Sequence, residues 1–197
     1  GKIRESSVKN KEPRVVVVSS VSGGGKNTIV RHLLEKTNDL AVAITATSRD
    51  PRPGEVHGKD YLFLDHKDFE GRIANGEFLE HANVHGNLYG VPESSVKEIM
   101  DRGQSVILII DVQGRRHIAE RMGDQVVSIF LEPPDRKQWE DRLRHRGTDS
   151  EKDILLRLED GLKELEEAKN FDYLVTNDSI DQCTSDILKI LEKEGAI

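Results

Sequence analysis

Val15-Val16-Val17-Val18-Ser19-Ser20-Val21-Ser22-Gly23-Gly24-Gly25-Lys26-Asn27-Thr28 is the stretch on which the architecture turns. Consecutive β-branched residues read as a strand buried on both faces, the pattern of a parallel sheet covered by helices. A glycine-rich turn and a lysine follow, and Ile29-Val30-Arg31-His32-Leu33-Leu34 continues with helical spacing. Strand, glycine turn, lysine and helix make the layout of a phosphate-binding loop. The chemistry needs those residue types. Glycines let backbone N–H groups turn inward around an anion, the helix N-terminus adds positive potential, and Lys26 reaches the outer phosphates. Two positions depart from the full pattern. Ser20 stands where a glycine is usual, and Asn27 stands where a serine or threonine would place its hydroxyl on magnesium. Asn27 can offer its amide oxygen instead, or Thr28 its hydroxyl after a small shift.

Outward from this stretch the same alternation continues. Apolar runs at Val106 to Ile110, Val126 to Leu131 and Tyr173 to Val175 read as further strands. Helical patterns cover Asn27 to Glu35, Ser94 to Arg102, Arg136 to Arg144, Asp153 to Lys169 and Asp181 to Glu194. Strands alternating with helices predict a doubly wound α/β sheet. From Ile44 the rhythm breaks into turn residues (Pro51, Pro53, Gly54, Gly58) and short extended pieces such as Tyr61 to Leu64, as expected of an insertion. Residues 1–13 are polar and lysine-rich, which predicts a mobile tail. The Glu/Lys-rich stretch Glu159 to Lys169 reads as a solvated helix face.

Composition excludes several classes of activity. The 197 residues carry a formal charge of −7, opposite to the basic excess of a general nucleic-acid binder, so no nucleic acid is expected as a partner. Cys183 is the one cysteine, so no internal disulfide can form. No apolar run is long enough to cross a bilayer and nothing resembles a signal peptide, which leaves no membrane partner and a cytoplasmic setting as the expectation. The seven histidines show no nucleophile-base or metal-ligand spacing with carboxylates or cysteine and read as structural or exposed.

The insertion carries the next signal, Thr45-Ala46-Thr47-Ser48-Arg49-Asp50-Pro51-Arg52-Pro53-Gly54-Glu55-Val56-His57-Gly58-Lys59-Asp60-Tyr61. Two arginines and a phenol beyond a tight turn can converge on one phosphate. With Gly76-Glu77-Phe78-Leu79-Glu80 and His85-Gly86-Asn87-Leu88-Tyr89-Gly90, this run resembles the GMP-binding insertion of guanylate kinases, and the resemblance covers nearly the whole chain. It implies a P-loop kinase core at 14–44 and 96–197, an inserted mixed β/α GMP-binding sub-domain at about 45–95, and a helical lid at about 135–157. Carried over residue by residue, it implies that Arg49, Arg52, Tyr61 and Tyr89 hold the GMP phosphate, and that Thr45, Glu80 and Asp111 read the guanine. A carboxylate there accepts from the ring N–H and exocyclic amine of guanine, whereas adenine has no donor at those edges. It also implies that Ser22, Gly23, Gly24, Gly25, Lys26, Asn27, Thr28 and Asn177 bind ATP, with magnesium as cofactor and Asn27 as its candidate protein ligand.

Clustered arginines after the strand ending in Leu131-Glu132-Pro133-Pro134 complete the picture. Arg142, Arg146 and Arg157 match the family's lid positions, where guanidinium groups neutralise a transferring phosphoryl group beside Lys26; Arg144 matches no role. The implied reaction is transfer of the γ-phosphate of ATP to GMP. Four departures from the family pattern, Ser20, Asn27, Val91 and Ile109, keep a second reading open: a guanylate-kinase-like nucleotide- or peptide-binding module with impaired catalysis.

Overall fold

The computed structural model describes residues 9–21, 25–145 and 150–197. In chain order the elements are β1 Val15–Ser20, α1 Lys26–Lys36, β2 Leu40–Val42, β3 Ala46–Thr47, β4 Leu62–Phe63, α2 His66–Ala74, β5 Phe78–Val84 and β6 Asn87–Pro92. They continue with α3 Glu93–Asp101, β7 Ser105–Ile109, α4 Val112–Met122, β8 Val126–Glu132, α5 Arg136–Arg144, α6 Glu151–Glu167, β9 Tyr173–Thr176 and α7 Ile180–Lys193. Five strands form a parallel sheet in the order β2-β7-β1-β8-β9. The valines of β1 show why this strand is central. Val15 and Val17 join one apolar cluster with side chains of α3, α4, α5 and α6, while Val16 and Val18 join another with α1 and α7. All of these valines are fully buried. Each contributes on the order of 1.5–3 kcal/mol relative to exposure.

A second sheet, in the order β4-β3-β6-β5, is built from residues between Ala46 and Pro92. Here β3 and β4 are parallel, whereas β3 with β6 and β5 with β6 are antiparallel. A two-residue turn joins β5 to β6 at His85 (φ 52°) and Gly86 (φ 85°), the left-handed pair that suits strand twist in a tight hairpin. The register slips between Phe78 and Glu80, so that Phe78, Leu79 and Glu80 are all buried where plain alternation would expose one. Phe69 of α2 stacks on Phe78 at 4.6 Å and closes the small core under this sheet.

Two expectations are corrected. Residues 9–13 of the expected tail are fastened: the Lys9 N–H donates to the Lys193 carbonyl and the Glu12 N–H to that of Gly195, while the Lys9 ammonium meets Glu194 at 2.7 Å. Backbone bonding of this kind leaves no mark on composition; residues 1–8 lie outside the described residues. The stretch Glu159 to Lys169 is not one solvated face either. Gly161 is buried against Trp139 so closely that an added Cβ would lie 2.3 Å from the ring, Ala168 is buried, and Glu164 is partly withdrawn from water. Charge density along a helix does not reveal which of its charges point at a neighbour.

Candidate functional site

The loops at the carboxyl ends of the core strands carry the expected site. From β1 the chain crosses to one side of the sheet, and from β7 it crosses over β1 to the other, so a crevice opens where the order reverses. Gly25 enters α1 with φ 74°, and a Cβ there would lie 3.1 Å from Asn177 Nδ2. Glycine is therefore needed for backbone conformation and for room together. The first turn of α1 has no side-chain cap, which leaves its N–H groups available to an anion. Lys26 is the first residue of that helix. Burial lowers its ammonium below the ordinary lysine value, with Glu164 and Asp111 pulling in the opposite direction. Asn27 is exposed and Thr28 half-buried. Ser22, Gly23 and Gly24 lie outside the described residues, as does Arg146.

Asp111 follows β7 and caps α4, its Oδ1 accepting from the Gly114 N–H at 2.8 Å. Its charge is felt on three sides: by Lys26 of the glycine loop, by Glu164 of α6 and by Glu80 of the second sheet. Glu164 is pushed up to about 7, chiefly by burial; Lys26 opposes that shift, while Asp111 and Asp160 add to it. Glu80 is raised for the same first reason, with its hydrogen bond to His117 opposing and Asp111 adding. Glu164 and His117 are site neighbours that pattern reading missed, and no local signal could have supplied them.

On the second sheet Arg49, Tyr61 and Tyr89 converge. The Arg49 guanidinium lies 5.1 Å from the centre of the Tyr61 ring, and Tyr61 meets Tyr89 edge-on at 6.2 Å. Glu55 occupies the arginine fork, with Nη1 to Oε1 at 2.8 Å and Nη2 to Oε2 at 3.0 Å. The pairing drops the Glu55 carboxyl to about 2 and raises the Arg49 guanidinium, with the two phenols adding to the latter. Arg52 gives its backbone N–H to Glu55 at 2.7 Å and leaves its side chain exposed. Thr45 is half-buried, its carbonyl accepting from the Leu62 N–H. Across the sheet, Arg142 and Asn177 line one recess with Pro133, Pro134, Asp135, Gln138 and Trp139. Arg157 is half-buried on α6, and Arg144 bonds Glu151 at 3.0 Å, tying α5 to α6.

A glycine-loop lysine, the half-buried Asp111, the buried Glu80 and an arginine–tyrosine cluster are thus carried by the two sheets and their loops. A sequence model of the guanylate kinase family matches residues 12–194. The chain belongs to the guanylate kinase family. The guanylate kinase of Wolbachia sp. subsp. Brugia malayi (strain TRS) is 42% identical over 180 residues, 91% of this chain and 92% of the relative. That of Fusobacterium nucleatum subsp. nucleatum is 43% identical over 176 residues, 89% and 94% of the two chains. Among solved structures, guanylate kinase from Anaplasma phagocytophilum superposes with a TM-score of 0.78 at 34% identity, over 97% of this chain and 90% of that one. The doubly wound α/β architecture is therefore that of a guanylate kinase, and the activity is that of a nucleoside monophosphate kinase. Among the described residues no helix is long and apolar enough to cross a membrane.

Proposed function

We propose that the protein transfers the γ-phosphate of ATP to GMP, giving ADP and GDP. The observation that carries this reading is the position of Asp111, whose charge couples the Lys26 side of the crevice to the buried Glu80 of the second sheet. One carboxylate pair thereby adjoins both a phosphate loop and a base-reading wall. GMP lies with its phosphate against Arg49, Arg52, Tyr61 and Tyr89 and its guanine edge against Glu80 and Asp111, with Thr45 beside the base. The arginine fork that Glu55 fills in the free protein is a bidentate match for phosphate as well. Gly25, Lys26 and Thr28 cradle the ATP phosphates together with Ser22, Gly23 and Gly24. Asn177 borders the adenine in the recess beside Arg142.

A GMP phosphate oxygen attacks the γ-phosphorus in line; the new P–O bond forms as the bond to the β–γ bridging oxygen breaks, and that oxygen leaves on ADP. Catalysis of such a step rests on positioning and charge neutralisation, which Lys26, Arg142, Arg146 and Arg157 supply. Magnesium fits the residues present. Among the described residues no group of three acidic, histidine or cysteine side chains forms a metal cage, and magnesium held mainly by phosphates and water needs none. Asn27, exposed at the start of α1, would offer a hard amide oxygen. Bound with ATP, the ion would supply neutralisation of phosphate charge.

The test is ADP formation with GMP, AMP, UMP and dTMP at equal concentration. GMP should support turnover at least a hundredfold better than AMP, since a buried carboxylate left without donors penalises adenine by about 3 kcal/mol or more. Equal rates with GMP and AMP would sink the assignment.

A further inference from the structure

We infer that His117 is a specificity-determining positioning residue, whose imidazole holds the Glu80 carboxylate as the acceptor pair that admits guanine and turns away adenine. The inference rests on the GMP reading above and deepens it. Its geometry begins with α4. His117 and Arg121 are one turn apart and share a face of that helix. Both grip β5 at successive residues. The Arg121 guanidinium donates to the carbonyls of Phe78 and Leu79, and His117 Nδ1 lies 3.4 Å from Glu80 Oε1. The slip in register between Phe78 and Glu80 falls at the same place, so the strand is pinned where its pleat is broken.

The burial of the two partners is unequal. The Glu80 side chain is 5% exposed and that of His117 is 50% exposed. The carboxyl is thus withheld from water while half of the imidazole faces it. Burial and the like charge of Asp111 both favour the neutral carboxyl, and contact with His117 opposes them. Among the described residues, His117 is the one cation that bears on the Glu80 carboxylate. The register partner of Glu80 on β6 is Val91, α2 packs on β5 through Phe69 against Phe78, and Arg121 is spent on backbone carbonyls.

The protonation state of Glu80 decides which base fits. An ionised carboxylate only accepts, matching the guanine N1–H and exocyclic amine. A protonated carboxyl presents an O–H that adenine N1 can accept, so discrimination relaxes. His117 raises the cost of that second state, which makes it a device against the wrong base as much as for the right one.

The experiment compares the parent with His117→Ala and His117→Gln, measuring kcat/KM for GMP and for AMP between pH 5.5 and 8.5 in magnesium and ATP. The ratio of the two values is the readout, because both substrates carry the same titrating phosphate and its ionisation cancels. In the parent the GMP/AMP ratio should fall on the acid side as Glu80 takes up a proton. Loss of the imidazole partner should move that fall to higher pH by about half a unit or more in both variants, with the parent ratio restored near pH 8.5. Superimposable ratio profiles, or a drop of equal size at every pH, would overturn the inference, since a merely structural histidine does not couple to pH. A parent with no preference for GMP at pH 8.5 would instead defeat the GMP reading. Thermal unfolding of each variant confirms that this half-exposed position leaves the fold intact.

Discussion

Asn27 occupies the second position of α1, where the phosphate-loop pattern would have a hydroxyl. Its amide oxygen is a hard donor that magnesium accepts, but the side chain is longer than serine and has one more torsion to fix. Asn27→Ser should therefore preserve ATP-to-GMP transfer and lower the magnesium concentration for half-maximal rate. A magnesium titration of parent and variant decides it; a collapse of turnover in Asn27→Ser would show that the amide makes a contact beyond metal binding. Gly25, two residues earlier, shows how much of such a site the sequence discloses. Its glycine follows from the motif, but the second reason for it, the Asn177 amide 3.1 Å from where a Cβ would sit, is visible only after β9 is placed beside β8. Arg49 behaves the same way: the arginine was legible, while its pairing with Glu55 and its seat over Tyr61 depend on how the turn between β3 and β4 closes.

At the scale of elements, legibility followed burial on two faces. The strands β1, β7 and β8 lie inside the core sheet and read as largely apolar runs, so their observed limits nearly match the expected ones. Of the short strands, β4 lies inside the extended piece expected at Tyr61 to Leu64, whereas β3, two residues long, owes its existence to pairing with β4 and β6, which no local pattern encodes. Helix α6 was found, but its inward carboxylate was not, because Glu164 is one of several charges on a helix that is mostly exposed. That carboxylate makes a measurable difference. Its value in the folded protein, about 7, lies above the 4.5 of an unperturbed glutamate, so ionisation costs the folded state. Stability from this group is greatest below pH 4.5 and is lost as pH climbs from there through 7. Glu164→Gln should raise the unfolding free energy of the ligand-free protein at pH 8 by about 1 kcal/mol, a value discounted for the partly exposed side chain and for lost attraction to Lys26. The gain should shrink away at pH 5 in urea unfolding; an equal gain at both pH values would mean that burial of this charge is not the cause.

For the whole molecule, the two sheets divide the work. The second sheet carries Arg49, Tyr61, Glu80 and Tyr89, and the core sheet carries Lys26 at the end of the glycine loop. Lys26→Ala should then lower turnover by a factor of about 10² or more, the size expected when one fixed positive group is removed from a developing charge. GMP binding measured by calorimetry should stay within a few-fold of the parent; a comparable loss of GMP affinity would show that the division does not hold. At the amino ends of the core strands, far from this division, the Lys9–Glu12 segment bonds to residues 193–195, and Ser105 joins the Arg14 N–H to the Ala196 carbonyl through its hydroxyl. Viewed as a polymer, the stretch 9–197 is nearly a ring with one missing link. In a variant without residues 1–8, a few flexible residues joining Ile197 to Lys9 would close it without moving the site, and would deny the denatured chain the freedom of its ends. Closing a loop of that length is worth up to about 5 kcal/mol by chain entropy, so the circular protein should withstand more urea than the linear one while its catalytic rate stays unchanged.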